Sequence, residues 1–282
     1  MKNMKSAVLF LAGVLLYASF FFLHERQWAG RVERLPVAQP VPYYRVLAGY
    51  VQELTAEMLF VRTNVFIGRA TMQNKPLLPD GPAIAQNFEV VTTLYPRFLA
   101  PYYPAQAFLP DLSPDLAKRT NAILENGIVA YPEELSLRFS HAANYFLWMN
   151  DPARAGEAFA KAAAIAGAPP LYGRLAEMFV SPEGALKAGM LSLLVLRNAE
   201  KDPKVKEKYG RQLLMYERTI EVQSAVQAYI RDHGAAPATL EQLQPLYLPV
   251  VPVFDQGYTL IYDPPHVSLR RQEGSPHSGQ LN

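Results

Sequence analysis

A repeated punctuation constrains this chain more than any other feature. Asp80-Gly81-Pro82, Ser113-Pro114, Asp151-Pro152 and Ser181-Pro182 each put a side-chain acceptor where a helix begins, with proline at or near the first turn, where no N–H is needed. These prolines lie 32, 38 and 30 residues apart. A second series, Tyr95-Pro96, Tyr131-Pro132 and Pro169-Pro170, marks the unit ends at spacings of 36 and 37. Two registers with a common period near 34 predict about four helical hairpins, at 45–95, 96–131, 132–168 and 169–200. One hairpin alone exposes an apolar face, which stacking against its neighbours buries.

The third unit is the clearest. Phe139, Ala142, Ala143 and Phe146 follow the spacing of one helix face, and Ala155, Phe159 and Ala162 repeat it on a second helix. Asn150-Asp151-Pro152 separates them, and the alanines allow close approach. This hairpin resembles a tetratricopeptide repeat (TPR): Ala143, Phe146, Ala155, Phe159 and Ala162 fall on the family's small, aromatic, Ala, aromatic and Ala positions. Phe139 stands at its Trp, and Pro169 comes two places late. The first and second units depart from the pattern, the second carrying Thr120, Leu124 and Gly127 at the family's Ala, aromatic and Ala positions. The resemblance implies an all-α TPR-like solenoid over residues 45–233.

Flanking helices are long. Val46, Leu47, Tyr50, Val51, Leu54, Met58, Leu59, Val61, Val65 and Phe66 return to one broad face of a helix over 45–71, whose expected fate is burial in the core. Asp202-Pro203 starts another, to about His233, where Gly234 ends it. Its Lys204, Lys206, Lys208 and Arg211 alternate with Glu207 and Asp202, which reads as a solvated face. Such a helix would cap the open end of a solenoid or link it to the tail.

Residues 234–269 form a small α+β appendix. Tyr258, Leu260 and Tyr262 alternate as a strand does, and Asp263-Pro264-Pro265 breaks it before a second strand. Gly234, Pro237, Leu240, Leu243, Pro252, Asp255, Gly257, Tyr258 and Tyr262 make this tail similar to the C-termini of type II secretion major pseudopilins. The calcium loop of that family is missing, so no metal site carries over. Residues 270–282 are polar and read as disordered.

The N-terminus carries the location. Lys2 and Lys5 precede an uncharged apolar run, 6–23, whose 18 residues span about 27 Å as a helix, the short end of what crosses a bilayer. A cleaved signal peptide would have a shorter core and a small-x-small site, which does not precede His24. Residues 1–24 are therefore expected to be an uncleaved transmembrane signal anchor in the cytoplasmic (inner) membrane. Residues 25–44, with Pro36, Pro40 and Pro42, are a linker. Positive charge is nearly balanced across the run, and the orientation chosen puts the soluble domain in the periplasm.

Chemistry is sparse. The five histidines do not pair at ligand spacing, and no phosphate loop, GxSxG elbow or HExxH motif occurs. With no cysteine, thiolate catalysis and Cys-ligated metals are excluded. A net charge of +2 gives no case for nucleic acid. No catalytic residue, cofactor or metal is expected. The tyrosines of the first half fill inter-helix space or line a groove. By analogy with TPR proteins, whose ligands lie along first helices, a partner-binding groove would use Arg97, Tyr102, Tyr103, Arg138, His141 and Tyr145. The expectation is a non-enzymatic, membrane-anchored scaffold for a protein or peptide partner in a pilus, secretion or export assembly. The alternatives are a structural subunit of a multi-pass membrane complex, marked by an exposed apolar face on the 45–71 helix, and an envelope enzyme acting on a glycan.

Overall fold

The computed structural model describes residues 17, 19, 34–254 and 258–271. Contacts divide the chain into residues 1–36 and residues 37–282, and the second unit holds every element below. It is predominantly helical with a small two-stranded antiparallel sheet at its C-terminal end. In order come α1 (Val41–Ala48), α2 (Gln52–Met72), α3 (Gly81–Leu94), α4 (Tyr102–Phe108), α5 (Pro114–Ala130) and α6 (Leu135–Leu147). Then follow α7 (Pro152–Ala163), α8 (Pro170–Met178), α9 (Pro182–Ala199), α10 (Pro203–His233), β1 (Tyr258–Asp263) and β2 (His266–Arg271). Packing follows chain order: α2 on α3, α4 on α5, α6 on α7 and α8 on α9, with α3 meeting α5, α5 meeting α6, and α7 meeting α8 between the pairs.

Local chemistry sets the helix starts. Ser113 accepts from the Leu116 N–H, Asp151 from Arg154, Ser181 from Gly184, and Asp202 from Lys204 and Val205, so each satisfies donors the first turn cannot. Glu134 caps α6 through the Ser136 N–H and hydroxyl. Asp80 departs from this pattern: it ends a short 3-10 turn, Leu78–Asp80, and its side chain makes no cap hydrogen bond to α3. Gly234 closes α10 at φ 72° in the left-handed region, its N–H bonded to the Ile230 carbonyl.

The core of the third hairpin is aromatic. Phe159 of α7 is fully buried, stacks on Phe179 at 5.8 Å and meets Phe139 edge-on at 5.4 Å. Tyr172 of α8 completes the cluster at 5.5 Å from Phe139. The second hairpin's departure from the TPR pattern has a steric cause. A Cβ on Gly127 would lie 2.8 Å from Tyr102 and 2.9 Å from Leu137, so the large Tyr102 ring takes the room an alanine would need. A buried amide group then ties hairpins two and three. Asn144 exchanges two 2.8 Å hydrogen bonds with Gln106 and donates a third, of 2.9 Å, to Asn121. Arg119 forks onto both Glu89 oxygens at 2.6 and 2.8 Å, joining α5 to α3.

The first long helix is where the expectation of a buried apolar face fails. Gly49, at φ 48°, breaks it into α1 and α2. The face α2 turns to α3 is Ala56, Leu59, Thr63, Ile67 and Ala70, mostly small residues. Val46, Leu47, Tyr50, Val51, Leu54, Met58, Val61 and Val65 are all exposed, so of the expected core only Leu59 is buried and Phe66 half-buried. Both sides of α2 are apolar, and the fold of one chain uses the side with the smaller residues.

The last long helix also behaves differently. α10 packs on α9 and on β2, but it also reaches back across the earlier units. Lys204 Nζ donates to the Thr71 carbonyl and to Asn74, beyond the end of α2. Lys208 Nζ donates to the Ala107 carbonyl at 2.8 Å. Gln212 donates to Asp111 at 3.1 Å, and Tyr216 faces Phe146 at 6.3 Å. Two of the four cations expected on a solvated face are therefore turned inward, while Lys206 and the Arg211–Glu207 pair stay outside. α10 covers the last hairpin through α9 and carries the tail, and in addition it braces the first three hairpins.

Its second half carries the appendix. Val222, Ala225 and Val226 form a small core with Leu243, Leu248 and Val267. β1 and β2 pair from Tyr258↔Arg271 to Asp263↔His266, joined at Pro264–Pro265 as the sequence predicts. Of the residues shared with pseudopilin tails, Asp255 and Gly257 lie outside the described residues, as do 272–282. The linker ends earlier than expected, with α1 starting at Val41. No helix among the described residues is long and apolar enough to cross a membrane; the anchor expected at 1–24 lies outside them, residues 17 and 19 apart.

Candidate functional site

Three of the six expected groove residues come together. Arg138, His141 and Tyr145 occupy successive turns of α6 and line a cleft of about 430 Å³ with Glu125 of α5 and Arg154, Glu157 and Lys161 of α7. His141 Nε2 lies 3.2 Å from Glu125 Oε1, and its ring meets Tyr145 edge-on at 5.1 Å. The Arg154 guanidinium sits 5.9 Å from the Tyr145 ring centroid. Arg138 donates through Nε and a terminal nitrogen to the Pro132 carbonyl at 2.9 and 2.7 Å, which fixes it at the cleft's edge. Three cations and two carboxylates thus surround one aromatic plane. Such a wall holds side chains of either charge and a flat or apolar group between them.

Burial lowers the pKa of His141 below its usual value, against the smaller opposing effect of the Glu125 carboxylate. The folded state thus binds this proton less readily than the unfolded chain. The resulting stability is complete above the unfolded value of about 6.5 and is lost as pH falls through the folded one. Unfolding at pH 7 and pH 5 is expected to show a smaller loss of stability for His141→Gln than for the native chain. An equal loss in both would mean that the imidazole does not titrate differently on folding.

The other three residues lie elsewhere. Tyr102 is fully buried; its hydroxyl donates to the Pro96 carbonyl at 2.9 Å, and burial, with Tyr131 beside it, pushes its pKa up to about 12. It is a core residue and not part of a groove. Tyr103, the next residue on α4, is exposed, as is Arg97, whose carbonyl accepts from the Tyr131 hydroxyl. Neither lines the cleft.

A second cleft, of about 580 Å³, could not be read from the sequence. Trp148 and Met149 at the end of α6 form one side, and Tyr216 of α10 with Tyr258 and Leu269 of the β-hairpin form the other. Asp111 stands behind it, accepting from Trp148 Nε1 at 3.2 Å and Gln212 at 3.1 Å, with Lys208 Nζ 3.8 Å away. These residues are up to 158 positions apart, from Asp111 to Leu269, and no local pattern links them. On this side α10 lies against α4 through Lys208 on the Ala107 carbonyl and against α6 through Tyr216 beside Phe146. Among the described residues no group of three or more His, Asp or Glu side chains converges as a metal site.

Comparison of the chain with protein-family models, curated proteins and solved structures finds no match in any of the three.

Proposed function

We propose that the chain is a non-enzymatic, membrane-anchored scaffold, TPR-like in its stacked hairpins, that holds a protein or peptide partner outside the cytoplasmic membrane. The Arg138–His141–Tyr145 cleft is the docking surface, and it carries the reading: a half-open, charge-lined wall with an aromatic plane, built on three rigid helices. Preformed geometry of this kind lowers the ordering cost of binding a flexible segment. The apolar run at 6–23 supports the anchor, and the pseudopilin-like tail supports an envelope assembly of the pilus, secretion or export kind.

The test is to tag the full chain at its C-terminus, crosslink in cells, solubilise the membrane fraction in mild detergent and identify what co-purifies. Arg154→Glu combined with Lys161→Glu reverses two exposed cleft cations without touching the core. A discrete set of envelope proteins with the native chain, reduced severalfold by the double variant, is the expected result. Recovery of the chain alone, or a set unchanged by the variant, would overturn the proposal.

One observation favours a second reading, a subunit of a multi-pass membrane complex. The outer face of α2 is a continuous exposed apolar surface of the kind that marks an interaction site.

A further inference from the structure

We infer that α2 is one half of a parallel two-stranded coiled coil formed with a second copy of this chain. Leu54, Met58, Val61, Val65, Gly68 and Met72 follow one another at steps of 4, 3, 4, 3 and 4. That is a 3.5-residue period, the seam of a coiled coil, and not the broader stripe by which a helix packs on a globular core. All six positions are exposed, the five side chains at 54% to 82%. The opposite face is already committed to α3 through Ala56, Leu59, Thr63, Ile67 and Ala70, so the seam lies on the side that α3 leaves uncovered. α2 has 21 residues, three heptads and about 32 Å of helix. Gly68 adds a further sign. It lies inside a helix, where glycine is less favourable than alanine, yet a Cβ there would meet no described atom within 4 Å. A notch of that kind receives a side chain of an opposing helix.

Charge selects the occupant and its direction. With Met58 and Val65 at a and Leu54 and Val61 at d, Glu57 takes a g position and Arg62 and Arg69 take e positions. In a parallel pair the g residue of one helix faces the e residue five places on in the other. Glu57 then meets Arg62 of the second copy, and the symmetric contact forms at the same time, as an isologous two-fold interface requires. Neither the Glu57 nor the Arg62 side chain has a hydrogen bond or ion pair among the described residues. An antiparallel pair sets e against e, where two of the three residues here, Arg62 and Arg69, are arginine. Two copies held by N-terminal apolar segments in one membrane would also enter the pair from the same end. That last point rests on the membrane reading above, while the seam and the charges do not.

The absence of cysteine makes the test clean, because one introduced thiol reports one contact. Full-length Leu54→Cys and Met72→Cys mark the two ends of the seam, and exposed Lys187→Cys on α9 serves as control. After mild oxidation in membranes, each seam variant is expected to form a disulfide dimer severalfold faster than the control. Co-expressed Leu54→Cys and Met72→Cys chains of distinguishable size should give no mixed dimer. Adding Val61→Glu should abolish the crosslink while leaving unchanged the unfolding midpoint measured at dilutions where the native chain is also a single copy, since Val61 touches solvent there. Crosslinking at both ends no faster than at Lys187→Cys would overturn the inference and leave the face to lipid or another protein. Mixed dimers alone would overturn the parallel arrangement. Partner capture through the Arg138 cleft is read separately, so either proposal can fail without the other.

Discussion

Phe159→Ala is expected to lower the unfolding free energy by about 3–5 kcal/mol, the cost of truncating a buried aromatic and leaving the space unfilled. Phe159 is fully buried and packs on Phe139, Phe179 and Tyr172, so a single ring joins α6, α7 and the end of α8. Collapse cannot refill the gap, because the neighbours are themselves rings held from several helices. Urea denaturation measures the loss, and exposed Val180→Ala, at 87% exposure, is the control, expected within about 0.5 kcal/mol of the native chain. A loss at Phe159 below about 1 kcal/mol would contradict the packing of the third hairpin, since full burial alone is worth more than that.

Asp111→Ala is expected to cost about 3 kcal/mol, within the range for removing the acceptor of charge-assisted hydrogen bonds from a largely buried site. The Asp111 carboxylate receives the Trp148 indole and the Gln212 amide and lies beside Lys208. Its side chain is 13% exposed, so water replaces little of what is lost. Two consequences separate this from a general loss of stability. Hydrogen exchange should rise first in the opening turns of α10, which Lys208 and Gln212 hold against the earlier hairpins. Asp111→Asn, which keeps a carbonyl acceptor, should recover more than half of the loss. If Asn is as damaging as Ala, the charge beside Lys208 and not the two hydrogen bonds fixes α10.

These two sites divide the chain by how far a sequence can be read. Phe159 was legible as core because its partners Ala155 and Ala162 sit on the same helix, and a 3.6-residue period exposes such a face directly. Asp111 was not, because its partners lie 37 and 101 positions away. The candidate cleft falls between the two cases. Arg138, His141 and Tyr145 share α6, so one helix face brought them together. Tyr102 and Tyr103 look equivalent in the sequence, yet adjacent helix positions point in different directions. Tyr102 fills the space beside Gly127, and Tyr103 stays outside.

The sequence by itself determined where α5, α7, α9 and α10 begin, where α10 ends, and that the helices form successive hairpins. Ser113, Asp151, Ser181, Asp202 and Gly234 act on backbone groups within four residues, so their effect needs no partner from elsewhere. Only the tertiary structure decided which apolar face of α2 is covered, because both faces repeat and α3 offers a surface to just one. It also decided that α10 turns Lys204 and Lys208 onto distant carbonyls, 133 and 101 positions away. Periodicity reports that a face exists. What lies against it is settled by contacts between segments far apart in the chain, which local propensity does not encode.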